Sequence, residues 1–232
     1  MNKEKPLNGF SSRAQCCLLI CLLMSGLIQA DSQSLTAYKN INILNVSAFN
    51  IAHWEEVDFD GLTRYHIATE NKQNYLKAES KQSASGLLIK KEIDLTKTPY
   101  LNWTWRLEKA LPELSETNKN GDDYAGRLYL IHSGGWLFWQ TKALNYVWSS
   151  RPVKGTSWPN AYAPDNALMK AVRDKTDQEN IWFSEKQHVP SDFKSWLGKD
   201  ISQIDGVAIM TDTDDSQGQA IIHYGDIYFS EN

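Results

Sequence analysis

Residues 100–109 read Tyr-Leu-Asn-Trp-Thr-Trp-Arg-Leu-Glu-Lys, and their alternation decides the fold. Leu101, Trp103, Trp105 and Leu107 are large and apolar, and Asn102, Thr104, Arg106 and Glu108 between them are polar. Successive side chains on a strand point to opposite faces, so four apolar groups share one sheet face and four polar groups the other. The pattern predicts a half-buried strand whose apolar face, with Tyr146 and Trp148 from a second strand, enters the core.

Working outward, the same period recurs. Residues 124–132, 143–148, 207–211 and 220–229 read as strands rich in β-branched and aromatic residues, with further strands at 65–68, 75–80 and 87–93. Asp60-Gly61, Lys97-Thr98-Pro99, Asn120-Gly121 and 214–218 supply turn chemistry between them. Pro190-Ser191-Asp192 can open a short helix that Gly198 ends, with Phe193, Trp196 and Leu197 on one face. Residues 166–173 fit a helix or a strand. Many short strands with one or two short helices predict a mainly β fold, an antiparallel two-sheet β-sandwich.

All nine tryptophans lie beyond residue 53 and all three cysteines before residue 22. Lys3, Lys5 and Arg13 precede an apolar run from Cys16 to Ile28, and Ile28-Gln29-Ala30 suits cleavage. That run is shorter than the roughly 20 residues a membrane-spanning helix needs. Residues 1–30 are therefore expected to be an export signal, 31–48 a segment leading into the fold, and 49–232 a single domain, periplasmic or secreted. A retained anchor is the competing reading. Cleavage would remove three basic residues and one acid, leaving a net charge of −6. An acidic surface argues against nucleic acid as partner. A body without cysteine excludes thiolate, thiolate-zinc and iron–sulfur chemistry.

No catalytic motif survives inspection. Residues 212–218 begin like a calcium loop, but Gln217 stands where the turn glycine belongs and His223 where a bidentate Glu is needed. The stretch reads as a solvated Asp-rich hairpin turn, with Asp212 and Asp214 as candidate ligands should calcium bind in another geometry. Asp122 and Asp123 are adjacent and cannot by themselves flank a glycosidic bond. On a strand Asp123, Arg127 and Tyr129 would share a face, and a buried Asp–Arg pair fixing register is the expected role. His223 reads as an ordinary strand histidine. Trp136 and Trp139 follow Gly134-Gly135, and Trp158 lies between Gly155 and Pro159, so these three are candidates for an exposed binding rim.

Several of these segments carry a family resemblance. Residues 83–87 and 99–106, Gly121-Asp122-Asp123-Tyr124-Ala125 with Arg127, residues 144–148, and Met210 to Asp214 before Tyr224-Gly225-Asp226-Ile227 resemble the bacterial domain-of-unknown-function family 3047. The likeness runs from Phe49 to Phe229. It implies an exported sandwich like that of jelly-roll, galactose-binding-like carbohydrate-binding modules, but no activity. It also implies that Asp226 occupies a structural-calcium position, with Glu55, Glu56 and Asp58 as further ligands.

The leading functional expectation is non-catalytic binding of a glycan or cell-envelope component. Asn102, Arg106, Asp123, Arg127 and Asn145 would supply hydrogen bonds from one sheet face, beside Tyr146 and the rim tryptophans. The alternatives are a polysaccharide lyase or glycoside hydrolase using Asp123 with Arg106, Arg127 or Tyr146, and a structural or partner-binding envelope protein whose aromatics are nearly all core. The last is expected if the rim tryptophans are buried and the polar residues fail to converge.

Overall fold

The computed structural model describes residues 40–135 and 140–232. The expected export signal, and Trp136 and Trp139, lie outside those residues. Among the described residues thirteen strands form two packed sheets. The six-stranded sheet has the order β11 (Phe183–His188), β6 (Tyr100–Lys109), β13 (Gln219–Ser230), β4 (Gln73–Lys81), β3 (Arg64–Glu70), with β1 (Asn40–Leu44) also paired to β13. The seven-stranded sheet runs β2 (Glu55–Asp60), β5 (Ala84–Asp94), β12 (Gln203–Asp212), β7 (Gly126–His132), β8 (Lys142–Trp148), β10 (Ala167–Arg173), β9 (Ser157–Pro159). Pairing is antiparallel throughout except between β8 and β10. The expected jelly-roll-like β-sandwich is thus the fold, and residues 166–173 resolve as a strand.

The quoted stretch does what its alternation dictates. Leu101, Trp103, Trp105 and Leu107 are all buried, while the residues between them are only half-buried on the outer face. Inside the sandwich Trp103 stacks on Tyr146 (5.4 Å between centroids) and meets Trp105 edge-on at 5.5 Å. Trp105 lies 5.5 Å from Trp148. This aromatic ladder joins β6 of one sheet to β8 of the other. Offset and edge-on ring pairs add about 0.5–1.5 kcal/mol each beyond the area they bury.

The single α-helix among the described residues, α1 (Val189–Leu197), closes one end of the sandwich. Val189 and Phe193 are buried in the core, and Trp196 and Leu197 pack partly against it. Pro190 occupies the first turn, where its missing N–H is no loss. Gly198 stops the helix in the left-handed region (φ 68°), donating its N–H to Lys194 O at 2.9 Å. Among the described residues no helix is long and apolar enough to cross a membrane.

Candidate functional site

The long strand β13 changes neighbour halfway along its length. Residues up to Tyr224 pair with β4, and those from Ile227 pair with β1. Across on β6, Tyr224 faces Trp105 and Ile227 faces Trp103, so Gly225 and Asp226 together oppose Thr104. That is a β-bulge, which bends a strand and re-aims its side chains. Glycine is required there, because a Cβ on residue 225 would sit 2.0 Å from Thr104 Oγ1. Asp226 turns outward, and its Oδ1 accepts from Val46 N at 2.9 Å.

The interruption leaves a cleft of about 690 Å³ on the outer face of the six-stranded sheet. Its floor is Thr104, Arg106, Gly225 and Asp226, and Tyr75 and Trp182 form an aromatic wall. The β3–β4 hairpin makes one lip with residues 70–74. Its two-residue loop holds Asn71 (φ 50°) and Lys72 (φ 66°) both in the left-handed region. Such a primed turn matches the twist of the flanking strands. Lysine is an uncommon choice there, and a non-glycine residue held so is found disproportionately at binding sites.

Arg106 is the hub. Its Nη1 donates to Glu70 Oε2 at 2.5 Å, and its Nε donates to His223 Nδ1 at 3.0 Å. The guanidinium carbon lies 5.4 Å from the Tyr75 ring centre and 5.2 Å from that of Trp182. His223 stacks on Tyr75 at 4.4 Å, and its Nε2 donates to Glu108 Oε2 at 2.6 Å. Lys77 Nζ reaches the same carboxylate at 2.9 Å. Burial holds the His223 pKa below the usual histidine value, and the Arg106 charge reinforces this against the pull of Glu108. The neutral ring that results accepts from Arg106 and donates to Glu108. His223 is therefore more than an ordinary strand histidine: it orients Arg106.

A second hollow of about 410 Å³ adjoins the cleft, sharing Thr104 and Asp226 and lined also by Asn102, Lys186 and Tyr228. Asn102 donates from Nδ2 to Ser230 Oγ at 2.9 Å. Arg106, Asn102 and Asp226 thus share one face.

Asp123, Arg127 and Asn145 do not join them, which corrects the expected single polar face, and the calcium candidates Asp212 and Asp214 also lie apart from Asp226. They are buried on the seven-stranded sheet and in the loops at its end. Arg127 Nη2 lies 2.8 Å from Asp212 Oδ2 and 3.5 Å from Asp122 Oδ2, and Nη1 donates to Tyr129 Oη at 2.8 Å. The Tyr124 ring covers the guanidinium at 4.1 Å. Burial drives the Asp212 pKa well up, Arg127 pulls against it, and the charges of Asp123, Asp122 and Asp214 add to the rise. Asp122 is raised for the same leading reason, burial. The expected Asp–Arg pair exists, but its acids are Asp212 and Asp122. Asp123 precedes β7 instead of sharing its face, and its carboxylate accepts from Asp215 N at 3.1 Å and Ser216 N at 2.6 Å.

Residues 212–218 are likewise no hairpin turn. They carry the chain from one sheet to the other, and Asp212, Thr213 and Asp214 are buried rather than solvated. Carboxylate oxygens of Asp123, Asp214 and Asp215 approach within 4.8 Å of one another. Asp226 belongs to the opposite sheet, and Glu55, Glu56 and Asp58 lie on β2, so the ligand set implied by resemblance is not assembled at Asp226. Asn145 donates to Ala143 O and Leu168 O inside the sheet. Tyr146 points into the core and donates to Asp192 Oδ2 of α1 at 2.7 Å. Trp158 is no rim residue: it sits on β9, 7 % exposed, against Tyr124, Val147 and Met169.

Sequence reasoning missed Trp182, Tyr75 and Glu70. The turn between the 65–68 and 75–80 strands was available as a signal for the hairpin lip. Nothing local placed Trp182 beside Arg106, because that proximity comes from β11 pairing with β6.

No curated protein sequence matches this chain. Among solved structures it is similar to the glycoside hydrolase domain of Endo-D from Streptococcus pneumoniae R6, at 12% identity and TM-score 0.38, over 77% of this chain but only 22% of that one. It is similar to the cellulose-induced protein Cip1 at 12% identity and TM-score 0.46, covering 80% and 94% of the two chains. The xyloglucanase domain of NopAA, a type three effector from Sinorhizobium fredii, aligns at 10% identity and TM-score 0.43 over 84% and 98%. Residues 52–228, nearly the whole sandwich, match the model of DUF3047, a family of proteins of unknown function, and the chain belongs to that family.

Proposed function

We propose that this chain is an exported, non-catalytic β-sandwich that binds a glycan of the cell envelope or its surroundings in the cleft on the six-stranded sheet. Buried Trp158 and the separation of Asp123, Arg127 and Asn145 from Arg106 favour the structural alternative, and one observation keeps the binding reading ahead of it: Trp182 is 37 % exposed and stands beside an Arg106 already oriented by His223. A sugar ring offers a C–H face to an indole and a rim of hydroxyls to polar groups, and the cleft presents both kinds of partner. Asn74, Thr104 and Asp226 line it alongside the rings. The Arg127 cluster fits structure better than chemistry, since its acids are already paired with Arg127 or with backbone N–H groups.

Titrating the full chain with envelope polysaccharides while following tryptophan emission tests the reading. A glycan that binds shifts the emission, and Trp182→Ala removes the shift and the affinity together. Emission indifferent to every polysaccharide, or a shift that survives intact in Trp182→Ala, would sink it.

A further inference from the structure

We infer that the glycan bound here carries a carboxylate, and that Glu70 holds the place of that carboxylate on Arg106 until the ligand displaces it. This rests on the glycan-binding reading. Among the described residues Glu70 is the only carboxylate on the Arg106 guanidinium. The two ends of that pair differ in kind. The Arg106 side chain is 11 % exposed, clamped by His223 and flanked by two rings, whereas that of Glu70 is 50 % exposed on the lip of a two-residue hairpin. A fixed cation paired with a half-solvated acid is a poor stabilising device, because exposed pairs contribute little. It is a good exchangeable site, since a planar guanidinium held in place suits any carboxylate that reaches it.

The expected mature chain is net acidic, which disfavours polyanions in general, but basic side chains gather at this groove. Lys72 on the same lip and Lys186 in the adjoining hollow belong to no ion pair among the described residues. With Glu70 swung into solvent, the groove shows Lys72, Arg106 and Lys186 against Asp226 and Glu185, and Glu185 is already paired with Arg173. The two hollows cross β4, β13, β6 and β11, three inter-strand spacings or about 14 Å. That length suits a short run of sugar units, and the Trp182 and Tyr75 rings favour a sugar over an acidic peptide. The ligand class is therefore an acidic polysaccharide. A latch closed nine-tenths of the time would weaken its apparent affinity about tenfold.

Calorimetric titration of the full chain with three polysaccharides (polygalacturonate, alginate and methyl-esterified polygalacturonate) and with polyglutamate tests this, using wild type, Glu70→Gln and Arg106→Gln. Expected are binding of at least one acidic polymer, loss of binding to the methyl ester, and affinity about tenfold tighter in Glu70→Gln. Arg106→Gln should abolish binding of the acidic polymer. Weaker or unchanged binding in Glu70→Gln overturns the inference. Equal binding of the methyl ester also overturns it, and leaves the glycan reading standing. Polyglutamate bound as tightly as the uronate polymer overturns the sugar class. If none of the three polysaccharides binds, the inference falls, and a neutral glycan that still shifts Trp182 emission preserves the parent reading.

Discussion

The protein builds two arginine-centred clusters from nearly the same ingredients, one on each sheet. Arg106 has Glu70, His223, Tyr75 and Trp182 around it, and Arg127 has Asp212, Asp122, Tyr124 and Tyr129. What separates them is access to water. Arg127 and its two acids are each less than a tenth exposed, whereas Glu70 and Trp182 stand open to solvent. Burial turns the same residue types into a structural clamp in one place and leaves an exchangeable surface in the other. The reason is energetic: a desolvated ion pair broken on one side leaves an uncompensated charge, while an exposed pair exchanges partners with water at little cost.

The sharpest way to break this comparison is to remove each arginine in turn. Arg127→Met strands Asp212 and Asp122 without their counter-charge and should cost about 3–5 kcal/mol in denaturant unfolding. Arg106→Gln leaves Glu70 in solvent but takes a donor from the buried His223 Nδ1, and should cost about 1–2 kcal/mol. Equal losses would mean that the cleft is as much a part of the scaffold as the clamp.

The tryptophans sharpen the contrast on a smaller scale. Trp158, read from its turn-like surroundings as a rim residue, is packed against Tyr124 and Met169, and Trp158→Ala should lose about 3–4 kcal/mol. Trp182, which drew no notice in the sequence, should lose about half of that or less on truncation, since more than a third of the residue is already exposed. Thermal or denaturant midpoints of the two variants decide it, and a reversed order would exchange the roles assigned to the two faces.

The swap shows what could be read in advance. Alternation within one strand is local, so Leu101, Trp103, Trp105 and Leu107 announced their burial, and Arg106 its outward direction. Sheet membership is not local. Arg106 and Arg127 each sit in a strand with correct alternation, and only the pairings β6–β13 and β7–β12 show that they face opposite sides of the sandwich. The Asp-rich stretch 212–218 misled for the same reason. Its composition signals a turn between strands, but here the crossing from one sheet to the other buries Asp212, Thr213 and Asp214 and leaves only its far end open to water. The bulge at Gly225–Asp226 likewise depends on β13 exchanging β4 for β1, a change of partner with no trace in the residues themselves.

The smallest expected effect concerns the proton on His223. Its pKa is lowered in the fold, chiefly by burial and further by Arg106. In the window below the ordinary histidine value of about 6.5, the unfolded chain therefore binds a proton that the folded protein refuses. Stability from this group is complete above that value and is lost as pH falls toward the lowered folded value. The groups facing the ring set the sense of the change. Arg106 opposes a second positive charge, Glu108 favours it, and Lys77 on the same carboxylate weakens that favour. Protonation would also put a hydrogen on Nδ1, the atom that accepts from Arg106, and so release the guanidinium from its orientation. Wild type should lose stability relative to His223→Gln between pH 7.5 and 5, measured as the difference in denaturant midpoint. Glycan affinity should fall over the same interval in wild type alone. A difference that stays flat with pH would mean that His223 does not set the Arg106 geometry, and the cleft would then differ from the Arg127 clamp by exposure alone.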